Sequence, residues 1–132
     1  MLVLHGTVRA ALRFASAAPD RDPDRSRRER VAAVQAAIAA RFGERLTLAD
    51  LARIAGCSSF HLARIFRAQT GTTIHAHLVQ VRLRAAMERL EPRTDLAALS
   101  FDLGFSSHSH FTSAFRRAFG RTPSAIRNAG AP

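Results

Sequence analysis

The chain repeats itself. TLADLARIAGCSS, starting at Thr47, aligns with DLAALSFDLGFSS, starting at Asp95, at an offset of 48, which puts Leu48 on Leu96, Leu51 on Leu99, Gly56 on Gly104 and Ser58 on Ser106. After one inserted residue the offset becomes 49, and His61 falls on His110, Leu62 on Phe111, Phe66 on Phe115, Arg67 on Arg116 and Gly71 on Gly120. The exits agree as well, GTT against GRTP. Self-similarity of this kind means that one supersecondary unit is built twice and that the two copies share a scaffold.

Start and stop signals say what the unit is. Thr47 caps a helix that carries Leu48, Leu51 and Ile54 inward, and Gly56 breaks it. Ser58 or Ser59 caps a second helix ending at Gly71; in the other copy Thr94 caps 95–103 and Ser107 caps 108–119, with Gly120 as the stop. A short helix, a glycine-containing turn and a second helix make the helix-turn-helix pattern. Between the copies, Thr72 or Thr73 starts a longer helix through Leu78, Val81, Leu83 and Met87 to Leu90, stopped before Pro92. Pro123 sits in the first turn of a last short helix.

Upstream of the repeat, a helix from about Ser26 to Phe42 buries Val31, Val34, Ala37 and Ile38 along one stripe and ends at Gly43. The stretch PDRDPDRSRRER, residues 19–30, has two prolines and dense mixed charge and reads as a linker. Leu4, Val8, Ala11, Leu12 and Ala15 recur at helical spacing and predict a short helix over 3–17. No segment carries a strand period. The expected fold is all-α: two helix-turn-helix subdomains, each a homeodomain-like three-helical unit, joined by a long helix. An N-terminal helix and charged linker (1–25) precede this domain (26–132).

A reason for such a unit to be duplicated comes from charge. All twenty basic residues are arginine against ten acidic ones, a formal net charge of +10. That balance points to a polyanionic partner, with double-stranded nucleic acid first and an anionic membrane surface second. The single cysteine, Cys57, excludes an intramolecular disulfide and a multi-thiolate zinc site, and it fits a reducing compartment. No apolar run approaches the roughly 20 residues that span a bilayer. The opening MLVLHGTVRAALRFASAA lacks a positive leading region and is interrupted by Arg9 and Arg13, so a secretory signal is not expected. The expected location is the cytoplasm, at the nucleoid.

Helical projection separates inner from outer side chains. At about 100° per residue, Phe111, Ala114, Phe115, Ala118 and Phe119 share a buried face, with His108 on its edge. Ser109, Ser113 and Arg116 lie opposite, flanked by His110 and Arg117, with Thr112 near the boundary. His108 and His110 are then about 200° apart and unable to share a metal. In the first copy Leu62, Ile65 and Phe66 point in, Phe60, Arg64 and Arg67 point out, and His61 and Ala63 lie at the margins. Arg64 is the strongest base-reading candidate, because a guanidinium bonds guanine O6 and N7 together. Phe60 offers apolar contact to a thymine methyl. Ser109, His110, Thr112 and Ser113 form a weaker polar reading edge. Arg67, Arg116 and Arg117 suit phosphates, as do the helix starts near Thr47, Ser59 and Ser107. A connecting helix of about 25 Å, with turns and side chains added, is of the length needed to place two recognition helices one turn of B-DNA apart, about 34 Å.

Residues 45–127 resemble the DNA-binding domain of the AraC/XylS family of bacterial transcription regulators. The resemblance is carried by LTLADLARIAGCSSFHLARIFRAQTG, VRLRAAMERL and DLGFSSHSHFTSAFRRAFGRTPSAIR, and most specifically by GFSS-x-SHF and FG-x-TP in the second copy. It implies seven helices, two recognition helices in adjacent major grooves, and transcription regulation. RNA polymerase becomes a candidate partner. The family's base-contacting positions fall on Phe60, Ala63 and Arg64 in the first copy, and on Ser109, His110, Thr112 and Ser113 in the second; Ala63 is too small to bond a base. His77 stands where an aromatic is frequent, Ile126 where a tyrosine is frequent, and Ser113 where a basic residue is frequent. The 44 residues before this family-like region are too few for the effector-binding domain that many family members carry, so none is expected in this chain.

Rival readings fare worse. Cys57, His61 and Asp50 are the residue types of a nucleophile, base and orienter, but Cys57 matches Phe105 at a turn position where packing is the expected role. No catalytic residue and no cofactor is expected. His75 and His77 face two ways on one helix, so no metal site is expected. A non-catalytic protein-interaction adaptor, or a truncated non-specific DNA binder, is the alternative.

Overall fold

The computed structural model describes residues 22–130. It contains α1 (Pro23–Arg41), α2 (Leu48–Ala55), α3 (Ser59–Thr70), α4 (Ile74–Arg89), α5 (Leu96–Asp102), α6 (His108–Phe119) and α7 (Pro123–Ala129), and no strand among the described residues. The helix expected over 3–17 lies outside them.

The repeat is present in the backbone. Helices α3 and α6 begin and end at positions 49 apart. The turn glycines Gly56 and Gly104 both adopt the left-handed conformation, with φ of +76° and +90°, which a side chain would strain. Each recognition helix is capped by a serine at the same register: the Ser58 hydroxyl accepts from the His61 amide and Ser107 from His110, both at 3.0 Å. The inserted residue therefore lies between Gly104 and Ser107, making the second turn one residue longer, and Ser59 is the first helical residue of α3 and not its cap.

Several boundaries differ from expectation for local reasons. α1 starts at Pro23, so much of 19–30 is helix and not linker: Asp22 accepts from the amides of Asp24 and Arg25, and proline is suited to the first turn. Asp95, not Thr94, caps α5, accepting from Ala97 and Ala98. The Thr94 hydroxyl instead closes the preceding loop, accepting from Glu91 N and donating to Arg89 O. In α2 only Leu51 and Ala52 are buried; Leu48 and Ile54, a turn to either side of Leu51, stay about 40% exposed. Thr47 caps this helix as expected, in a reciprocal box with Asp50.

Two cores form, one per unit. The first gathers Val31, Val34 and Ile38 of α1, Leu51 and Ala52 of α2, Leu62, Ile65 and Phe66 of α3, and Leu78 of α4. The second gathers Leu83, Ala85 and Ala86 of α4, Leu96 and Leu99 of α5, Leu103 and Phe105 of the turn, and Phe111, Ala114 and Phe115 of α6. α4 thus gives its first half to one core and its second half to the other. Phe42 packs against both. The turn residues Cys57 and Phe105 occupy matching places, Cys57 half-buried against the first core and Phe105 inside the second. Met87, Ala118 and Phe119 are more exposed than their periodicity suggests: Ala118 and Phe119 lie in the last turn of α6, beyond the buried Phe115, and Met87 lies at the edge of the face of α4 that buries Ala86 and packs Leu90.

His77 packs edge-on against Phe66, ring centroids 5.5 Å apart. Burial, and then the charge of Arg84, hold its pKa below the ordinary histidine value. The folded protein therefore binds this proton less readily than the unfolded chain. Its contribution to stability is present above about pH 6.5 and is lost as pH falls through the lowered folded value. His77→Phe is expected to shrink the drop in Tm between about pH 7 and pH 5. An undiminished drop in the variant would assign the pH dependence to other groups.

Candidate nucleic-acid interface

The side chains that line the outer faces of α3 and α6 are placed by the cores behind them. Burial of Leu62, Ile65 and Phe66 turns Phe60, Ala63, Arg64 and Arg67 to solvent. Phe60 is 77% exposed, an expensive place for a phenyl ring unless something covers it. The Arg64 guanidinium stands over that ring, 5.9 Å from its centroid, one helical turn along. Burial of Phe111, Ala114 and Phe115 likewise turns out Ser109, His110, Ser113, Arg116 and Arg117, while Thr112 is half-buried at the rim. His110 Nδ1 lies 3.3 Å from Ser106 Oγ, and its ring meets Phe105 edge-on at 5.3 Å. His108 is exposed in the first turn of α6, ahead of the point where the core begins, and so does not pack as its projection suggests.

The formal charge on these two helices is of one sign. Neither α3 nor α6 contains an acidic residue. Among the described residues, the ion pairs join Arg25 to Glu29, Arg27 to Asp24, Arg28 to Asp22, Arg41 to Glu44 and Arg53 to Asp50, all in α1, α2 or the ends of these helices. The arginines of α3 and α6 take no part in them. The carboxyl of Asp50 is held below its ordinary value by the amide and hydroxyl of Thr47, with Arg53 adding to this, so it serves the cap of α2. Thr47 and Ser107 are exposed at helix starts and Ser59 is half-buried.

Not all the arginines face solvent. Arg30 Nη1 donates to the carbonyls of Ala55 and Gly56, at 2.7 and 2.6 Å, bracing the first turn from α1. Arg127 Nη1 donates to Thr94 O at 3.1 Å, tying α7 to the start of the second unit. Arg82, only 7% exposed, donates from Nε to Phe42 O at 2.7 Å and from Nη2 to Glu44 O at 3.0 Å. Counting charge misses these roles. The available signal is position: Arg30 precedes Val34 and Ile38, and Arg82 follows Leu78, at the four-residue spacing of the buried stripe.

No group of three or more metal-ligating side chains converges among the described residues, and no helix there is long and apolar enough to cross a membrane.

Comparison with known proteins decides the family. The profile of a helix-turn-helix domain family matches residues 51–129. Regulatory protein SoxS of Salmonella typhimurium is 36% identical over 84 residues, spanning 63% of this chain and 78% of that protein. The chain belongs to the AraC family of transcription regulators. The AraC-type domain is the part in common: the Msm operon regulatory protein of Streptococcus mutans is 34% identical over 95 residues, which are 71% of this chain and 34% of that longer protein. The chain therefore spans about a third of this relative's length. In three dimensions the AraC-type fold matches the DNA-binding domain of AdpA, a global transcriptional factor solved in complex with a target DNA. The TM-score is 0.70 and the identity 29%, over 75% of this chain and 90% of that one. The expected double helix-turn-helix architecture is thus the observed one.

Proposed function

We propose that the chain is a sequence-specific DNA-binding transcription regulator, working by binding and not by catalysis, that lays α3 and α6 in adjacent major grooves. The observation that carries this reading is the pair of matched, acid-free helices whose arginines remain unpaired by carboxylates, on a fold like that of a domain solved on its target DNA. Arg64 reads guanine through two parallel bonds, and Phe60 covers a neighbouring thymine methyl. Ala63 allows close approach. In the second groove His110, Ser109, Thr112 and Ser113 read by direct and water-carried bonds; with Nδ1 turned to Ser106, His110 presents Nε2. Arg67, Arg116 and Arg117 hold phosphates, with Thr47, Ser59 and Ser107 at helix starts that favour anions. The site of action is the nucleoid in the cytoplasm, with RNA polymerase as the partner through which binding alters transcription.

The test is selection of bound fragments from a genomic DNA library, followed by a salt series on the enriched site. Enrichment of one sequence class with a steep fall of affinity in salt supports the reading. A flat library and a shallow slope overturn it. Arg116→Ala separates positioning from reading: it is expected to weaken all sites alike and to reduce the salt slope by about 1. An altered base preference with an unchanged slope would move Arg116 to the reading face.

A further inference from the structure

We infer that Arg82 is the keystone that locks the two helix-turn-helix units in one relative orientation, and so sets the spacing between the two recognition helices. The side chain leaves the middle of α4, where that helix passes from the first core to the second. Its two donors hold the carbonyls of Phe42 and Glu44, in the segment between α1 and α2 of the first unit. Its guanidinium lies over the Phe105 ring, 5.8 Å from the centroid, in the turn of the second unit. One buried cation therefore grips both units and the helix between them.

The backbone around it is shaped to admit this grip. A Cβ on Gly104 would stand 2.8 Å from Arg82 Nη2 and 2.9 Å from the Phe42 carbonyl oxygen. A Cβ on Gly43 would stand 2.6 Å from the carbonyl oxygen of Asp102, at the end of α5. The main chain of 42–43 and that of 102–104 thus meet without side chains between them, and Arg82 fills the remaining space. Arg89 places its guanidinium over Phe42, 5.9 Å from the ring centroid, and Phe42 packs in both cores. Burying a guanidinium is costly unless its donors are used. An apolar residue would satisfy the stripe of α4 but would leave the carbonyls of Phe42 and Glu44 without these bonds. Only an extended, branched donor set reaches both while standing over an aromatic ring.

A rigid joint has a consequence for recognition. Two recognition helices held in one relative orientation accept one half-site spacing, because a change of one base pair both shifts and rotates the second half-site.

Spin labels at Gln69 and Ala118, exposed positions 49 apart near the ends of α3 and α6, report the joint without DNA in a Cys57→Ala background. The parent is expected to give one narrow distance distribution. Arg82→Met keeps the stem and removes the donors, and is expected to broaden it with both cores still folded by circular dichroism. Arg82→Lys reaches one carbonyl at most and is expected to broaden it partially; it carries the test if the methionine variant does not fold. Equal widths in parent and variants overturn the proposal, as does a broad parent. A second readout rests on the proposed docking of both units on DNA. Inserting one base pair between half-sites is expected to cost the parent roughly tenfold in affinity and Arg82→Met much less, each half-site alone being bound equally by both proteins. Equal penalties also overturn the keystone role. Failure of the parent to bind either half-site overturns the docking reading while leaving the distance result standing.

Discussion

Phe111→Ala is expected to cost about 3–5 kcal/mol and to spend that loss on one half of the molecule. Phe111 is fully buried, with Phe105 at 5.3 Å and Phe115 at 5.8 Å between ring centroids, so truncation leaves a cavity that a short helix pair has few ways to collapse. The second core shares no buried residue with the first. Native-state hydrogen exchange should therefore show α5 and α6 opening far more readily, while α2 and α3 keep most of their protection. Functionally, affinity for a complete site should fall towards that of the first half-site alone. Uniform loss of protection across both units would mean that the two cores unfold as one.

The second large effect is on recognition. Arg64→Ala is expected to lose about 1–3 kcal/mol at the preferred site and to flatten base preference at a single position of one half-site. The other half-site should keep its preference, because α6 is held by a different core. Phe60 shapes the size of this effect: its ring lies under the guanidinium and restrains it before DNA arrives, so less freedom is lost on binding. Unchanged preference in the variant would show that Arg64 is a solvated arginine with no part in reading.

The sequence was most informative where the same physics acted twice. Leucine and phenylalanine spacing, capping hydroxyls and turn glycines recur at offsets of 48 and 49 and mark α2, α3, α5 and α6 with the large side chains they bury. The helical period alone marks Val31, Val34 and Ile38 of α1 and Leu78 and Leu83 of α4; the small or turn residues Ala52, Ala85, Ala86 and Leu103 complete the cores without such a signal. It was least informative at ends. Pro23 begins a helix because Asp22 caps it, although proline within dense charge reads as a linker. Leu48, Ile54, Ala118 and Phe119 obey the helical period yet stay exposed, because periodicity says which way a residue points and not where the neighbouring element stops. His108 is displaced to solvent for the same reason.

Among the candidate reading residues, facing was legible from projection: those placed opposite or flanking the buried side chains are exposed, while Thr112, near the boundary, is half-buried. The arginines that brace the fold were not. Arg30, Arg82 and Arg127 bond main-chain carbonyls far away in sequence, and composition counts them with the charges that face solvent. Position within the apolar stripe marks two of them; the carbonyls that they satisfy become visible only in three dimensions.

The central claim is that one chain reads two adjacent major grooves, α3 in one and α6 in the other. It is tested most directly by base-removal interference across a selected site, with the parent protein and Arg64→Ala compared side by side. Two clusters of sensitive positions on one face of the duplex, centred about 10 base pairs apart, are the predicted result, and Arg64→Ala should remove sensitivity at one position of one cluster and leave the other cluster unchanged. A single cluster, or two that fade together in the variant, would contradict it.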